Sequence, residues 1–176
     1  MPFTIRSADG AKNIPRLLGV GGGRSGPLLD ALSGAGTSLV GLFDFDQEGL
    51  AQWNGAIGPA DIEAVNFPDL ACQPRKRRDS RIWVALLPVP VFRQSYASQI
   101  LGGDSRLTIE LLLPDCHVEC ILERIPVAGD GTTTRLAAKT DAQKRAVAAA
   151  ASNMPASAFV TFEPIFSLLR HISANG

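Results

Sequence analysis

Two carboxylates, Asp44 and Asp46, stand at the end of an apolar run from Ser38 to Phe43, and a third, Glu48, follows two residues later. Side chains at i and i+2 of an extended chain point to the same side, so Asp44 and Asp46 converge on one point if the strand runs on through them. Two such anions repel unless a cation lies between them. Magnesium takes hard oxygen ligands and is commonly held by one or two carboxylates together with substrate phosphates. The pair therefore predicts a Mg²⁺ or Mn²⁺ seat at Asp44 and Asp46, with Glu48 supporting the ion through water. The simpler role for an Asp in front of a helix is to cap it, but a cap needs one Asp and here there are two.

A second segment points to phosphate. Gly19-Val20-Gly21-Gly22-Gly23-Arg24-Ser25-Gly26 lets backbone N–H groups approach an anion, with Gly21, Gly22 and Gly23 as the phosphate-facing turn. The basic run Arg75, Lys76, Arg77 and Arg78, with Arg81 and Arg93 nearby, suits contact with nucleic-acid backbones, although a solvated loop is the preferred reading.

The elements that must position these residues follow from apolar spacing. Leu17, Leu18 and Val20 read as a short strand ahead of the glycines, and Leu28, Leu29 and Leu32 as a helix over Pro27 to Ala35. Ser38 to Phe43 is apolar on both faces, as in a strand covered on both sides. Leu50, Trp53 and Ile57 then mark one face of a helix from about Gln47 to Gly58-Pro59. Ile82 to Leu87 is a further strand, ended by Pro88 and Pro90. From Leu107 to Leu122 strand and helix patterns compete, and the helix is the preferred reading. Ala128 to Thr134 reads as a loop, Ala137 to Ser152 as an Ala-rich helix, and Phe159, Phe162, Ile165, Phe166 and Leu169 as the apolar stripe of a last helix. The fold expected is α/β, a mostly parallel sheet flanked by helices, in one domain over 1–176. Its core covers about 16–113, and a helical C-terminal part covers about 135–174. In a parallel sheet both turns fall on one edge, where ligands of open α/β folds bind.

Composition is permissive. The 176 residues carry 17 basic and 17 acidic side chains, so no global field draws the chain to nucleic acid or membrane. With 45% hydrophobic residues the chain can bury a sizeable core. No stretch approaches a membrane span and no secretory signal is evident, which predicts a soluble cytoplasmic protein. Cys116, His117 and Cys120 are too few for a four-coordinate zinc site, so they read as a buried, half-apolar helix face. His171 reads as a favourable charge at a helix C-terminus.

Over roughly residues 16 to 60 the chain resembles the TOPRIM family of topoisomerases, primases and related nucleases, in particular branches among bacterial defence proteins. The likeness rests on a Gly-rich strand end, a helix, and a hydrophobic strand ending in Asp44-x-Asp46 with Gly49 three residues on. The tail Phe159-Val-Thr-Phe-Glu163-Pro-Ile-Phe-Ser-Leu-Leu is a weaker likeness. The resemblance implies Mg²⁺-dependent breakage or transfer at phosphodiester bonds of DNA or RNA, with Asp44 and Asp46 as ligands and Asp44, Asp46 and Glu48 as the catalytic set.

The family pattern opens with a strand ending in Glu, and no Glu precedes the glycines here. Three expectations answer this: a protein partner supplies the missing motif, Glu48 or Glu110 takes over the role, or the module binds without cutting. The first and third rank above the second. A strand ending in Asp-x-Asp is also similar to the first motif of haloacid-dehalogenase-like phosphatases, with Asp44 as nucleophile and Asp46 as acid/base. Gln47-Glu48-Gly49 departs from that family's usual continuation, and Gly129-Asp130-Gly131 only loosely echoes its acidic motif, so it ranks second. A dinucleotide site ranks third, because Gly19, Gly21 and Gly26 lack the fingerprint spacing.

Overall fold

The structure, a computed structural model, describes residues 11–20, 37–67, 71–96, 106–126 and 134–175. Within them the chain forms α1 (Asn13–Leu18), β1 (Leu39–Phe43), β2 (Phe45–Asp46), α2 (Gln47–Ala56), β3 (Ile62–Glu63), β4 (Arg75–Arg77) and β5 (Ile82–Leu86). There follow β6 (Arg106–Leu107), α3 (Asp115–Val118), β7 (Glu123–Pro126), β8 (Thr134–Ala137), α4 (Asp141–Ala151) and α5 (Glu163–Asn175).

The main sheet has the order β1-β5-β4-β3. Among the described strands only β1 and β5 run parallel, from Leu39 opposite Ile82 to Phe43 opposite Leu86. β4 pairs antiparallel with both β5 and β3. The expectation of a mostly parallel sheet is thus corrected to a mixed α/β sheet. The reason is local. Between β4 and β5 the chain turns back within four residues, with Asp79 at φ 52° and the Ser80 hydroxyl donating to the Arg77 carbonyl at 2.9 Å. So short a link joins neighbouring strands only antiparallel, since a parallel return needs a crossover of a dozen residues or more.

β5 is buried at every position and is the centre of the sheet. Its continuous apolar run, Ile82 to Leu86, is what a strand covered on both faces requires. On the face shared by Gly41, Val84 and Arg75 lie α1 and α2. A β-carbon at Gly41 would meet Ile14 Cγ2 at 2.6 Å and Leu18 Cδ1 at 2.7 Å, so α1 sits on β1 where that strand has no side chain. The opposite face carries Trp83, against whose ring His171 of α5 stands edge-on, with ring centroids 6.4 Å apart.

Three further expectations are revised. Residues 13–18 form a helix, closed by Gly19 at φ 63° with its N–H on the Arg16 carbonyl, so Leu17 and Leu18 do not start a strand. No single helix covers 107–122. The segment is cut into β6, a 3₁₀ turn Ile109–Leu112 and α3, with Pro114 standing at the α3 N-cap. The last stripe is also shifted: Ile165, Leu168 and Ile172 are buried, whereas Phe166 is 44% exposed. The helix predicted over Pro27 to Ala35 lies outside the described residues, as does most of the loop from Ala128.

Candidate acidic site at the carboxyl end of β1

Asp44 immediately follows β1, at the carboxyl end of the parallel β1–β5 pair. The chain continues extended through Phe45 and Asp46 and then enters α2. Asp46 is the N-cap of α2, and its Oδ1 accepts from the Gly49 N–H at 2.7 Å. The capping role thus holds for Asp46 and leaves Asp44 free of it. Gly49 is fixed by space, because a β-carbon there would lie 2.0 Å from the Asp44 carbonyl oxygen. The first turn of α2 is therefore pressed against the backbone of Asp44, and the spacing Asp44-x-Asp46-x-x-Gly49 has a steric cause.

A further carboxylate, Glu110, arrives through β6. Phe45 pairs with Leu107 and Asp46 with Arg106, antiparallel, which lays the following residues over the end of β1. There the Ile109 N–H donates to the Asp44 carboxylate, and Glu110 comes close enough to repel it. Asp44 is pushed up to about 6, first by burial, then by the charges of Asp46 and Glu110; Lys144 of α4 and the Ile109 N–H act in the opposite direction. Glu110 is 9% exposed, and its Oε2 has no hydrogen-bond partner among the described residues. The same holds for the buried Oγ1 of Thr108. Buried polar atoms without partners are uncommon in native folds and mark places where water or an ion completes the shell.

Among the described residues no three His, Cys, Asp or Glu side chains are grouped to hold one ion. A cation here would have at most two protein carboxylates. That donor set suits Mg²⁺, which keeps several waters and takes further oxygens from substrate phosphate. Glu48 is exposed on the first turn of α2, and it is not among the groups that perturb Asp44.

The other predicted site residues are placed elsewhere. Gly21, Gly22 and Gly23 lie outside the described residues. Arg75, Lys76 and Arg77 form β4, not a solvated loop. Arg75 stacks on the Trp53 ring with its guanidinium carbon 3.3 Å from the centroid, and it donates to the Trp53 carbonyl and to Asn54 Oδ1. Lys76 pairs with Glu63 at 3.0 Å, and Arg77 donates to the Gly19 carbonyl at 3.3 Å. Because β4 is antiparallel to β5, the run leads away from Asp44: Arg75 is level with Val84 and Lys76 with Trp83. Only Arg78 of the four is exposed. Cys116 and Cys120 are exposed rather than buried on a helix face, since α3 ends at Val118. His171 packs its ring against Phe67 at 4.9 Å rather than serving only as a terminal charge.

The sequence matches no family model, and comparison with curated proteins and with solved structures likewise finds no match. No helix of the described residues is long and apolar enough to cross a membrane.

Proposed function

We propose that this chain binds a divalent cation, Mg²⁺ or Mn²⁺, at Asp44 and Asp46 and uses it to act on phosphodiester bonds of nucleic acid. The observation that carries the reading is the crowding of Asp44 by Asp46 and Glu110 at the carboxyl end of the parallel strands. A carboxylate raised by burial and by neighbouring negative charge, as Asp44 is, is poised for a positive ligand, and such perturbation concentrates at functional sites. The substrate class rests on the Asp-x-Asp resemblance.

Bound there, the cation would polarise a phosphoryl oxygen and offset charge developing on it. The chain's own residues do the rest. Asp46 is held by its bond from Gly49, so its carboxylate is oriented before any ligand arrives. Asp44 is oriented by the Ile109 N–H. Glu110 takes the general acid/base role that the family pattern leaves open, with Oε2 as the atom that accepts the proton of an attacking water. Its presence beside Asp44 favours a self-contained site over one completed by a partner.

The test is incubation of the purified protein with Mg²⁺ or Mn²⁺ and plasmid, single-stranded DNA or RNA. Metal-dependent cleavage that disappears in both Asp44→Ala and Glu110→Gln is expected. Turnover of a generic phosphomonoester, with all nucleic acids left intact, would move the chain to phosphatase chemistry. Metal-independent binding without cleavage would make it a binding module.

A further inference from the structure

The buried charge that this chemistry does not use is Arg93, on the 3₁₀ stretch Val91–Tyr96 and 2% exposed. Its Nε donates to the Leu111 carbonyl at 2.8 Å and its Nη2 to the Leu113 carbonyl at 3.1 Å. Nη2 also lies 2.5 Å from Asp115 Oδ1. The guanidinium is flanked by the rings of Phe92 and Tyr96, at 4.9 and 5.0 Å. The carbonyl between the two it grips, that of Leu112, accepts from the Thr161 hydroxyl at 2.5 Å. Three successive carbonyls directly after Glu110 are thus tied from outside their own segment.

The segment needs such ties. Ile109–Leu112 is a single 3₁₀ turn, whose i→i+3 hydrogen bonds have poor geometry, and its N-cap Thr108 makes no side-chain cap bond. Nor does net stability account for a buried guanidinium, because desolvating an ion pair commonly offsets its attraction, and apolar replacements are often as stable. What a planar fork with fixed donors does supply is position.

We propose that Arg93 is a positioning residue for the acidic site: by gripping Leu111 and Leu113 it holds the Thr108–Leu113 turn so that Glu110 and the Ile109 N–H stay against Asp44. The proposal deepens the cation reading above and rests on it for its binding arm, while its exchange arm stands without it.

The experiment compares wild type with Arg93→Met, Thr161→Val, Thr161→Ser, Glu110→Gln and the double variant Arg93→Met/Glu110→Gln. The first readout is amide hydrogen exchange without metal. Arg93→Met is expected to speed exchange at Ile109 and Leu111 about tenfold more than at Val84 and Leu86 of β5. Uniform acceleration across all four would overturn the proposal, because that is the signature of lowered global stability alone.

The second readout is Mn²⁺ affinity measured on folded protein. Arg93→Met is expected to raise Kd about tenfold, the lower end for residues that orient a ligand from behind. In the Glu110→Gln background its effect on Kd should be clearly smaller than in wild type, since part of it passes through the Glu110 carboxylate and only the Ile109 N–H remains to be displaced. Independent, additive losses overturn the positioning role. Should Arg93→Met fail to fold, Thr161 decides: Val is expected to weaken Mn²⁺ binding and free the Ile109 amide, and Ser, which keeps the hydroxyl, to restore both. If wild type binds no Mn²⁺, the cation reading falls, and the exchange pattern alone decides whether Arg93 positions the turn.

Discussion

At Asp44 burial and two neighbouring carboxylates act in the same direction, and a pH dependence of stability follows. Its folded value of about 6 lies above the ordinary 3.8, so between these values the native state binds more protons than the unfolded chain. The stability associated with a neutral Asp44 is complete below about pH 4 and is lost as pH rises through 6. Asp44→Asn should therefore stabilise the protein by on the order of 2 kcal/mol at pH 7.5 and by almost nothing at pH 4. Urea denaturation at the two pH values checks this. The same substitution should abolish cation-dependent activity, which separates the site's function from its contribution to folding. At this scale the sequence announced Asp44 and Asp46 through their spacing. The sequence names Glu110 only beside Glu48 as a stand-in for the missing glutamate, and ranks it low, because the β2–β6 pairing that brings it in spans about sixty residues of chain and leaves no local periodicity.

Elements were legible wherever one local rule acted alone. The α2 helix is marked by Leu50, Trp53 and Ile57 and started by Asp46, and α4 by its Ala-rich run, although that helix begins at Asp141, behind a capping box of Thr140 and Gln143, and not at Ala137, which belongs to β8. Where patterns were short or overlapped, the sequence misled. Leu17, Leu18 and Val20 suit a strand by composition, yet α1 forms because Ile14 and Leu18 pack onto Gly41. The segment 107–122 carried two periodicities because it contains two kinds of turn separated by Pro114.

Two predictions belong to the start of α2. Gly49→Ala should destabilise by at least about 2 kcal/mol, because its β-carbon would overlap backbone rather than a movable side chain. Asp46→Ala should cost about 1 kcal/mol as a lost cap, whereas Asp46→Asn keeps the cap and should leave stability nearly unchanged. Thermal or urea unfolding measures both. If Asp46 also serves the cation, the Asn variant should be as stable as wild type yet bind Mn²⁺ more weakly.

For the whole molecule, the antiparallel placement of β4 beside β5 leads the basic run away from the acidic end of β1. The basic run, which reads in the sequence as one surface, alternates across β4. Arg75 is spent on Trp53 and Asn54, Lys76 on Glu63 and Arg77 on Gly19, and this leaves Arg78 at the turn. A charge run shows its sign in sequence but not its partners, since those are set by tertiary pairing. Arg75→Ala should accordingly lower stability by about 1 kcal/mol through lost stacking and packing, and Arg78→Ala should change it by less than about 0.5 kcal/mol. Paired urea denaturation of the two variants tests whether β4 is a structural strand.

The central claim is that the acidic cluster at the end of β1 receives a divalent cation, and it is tested most directly by titrating Mn²⁺ into the protein at pH 7.5 and counting free Mn²⁺ by electron paramagnetic resonance. The account predicts one ion bound per chain, binding abolished by Asp44→Asn and weakened about tenfold by Glu110→Gln. Wild type and both variants giving the same titration, or none of them taking up the ion at millimolar concentration, would contradict it.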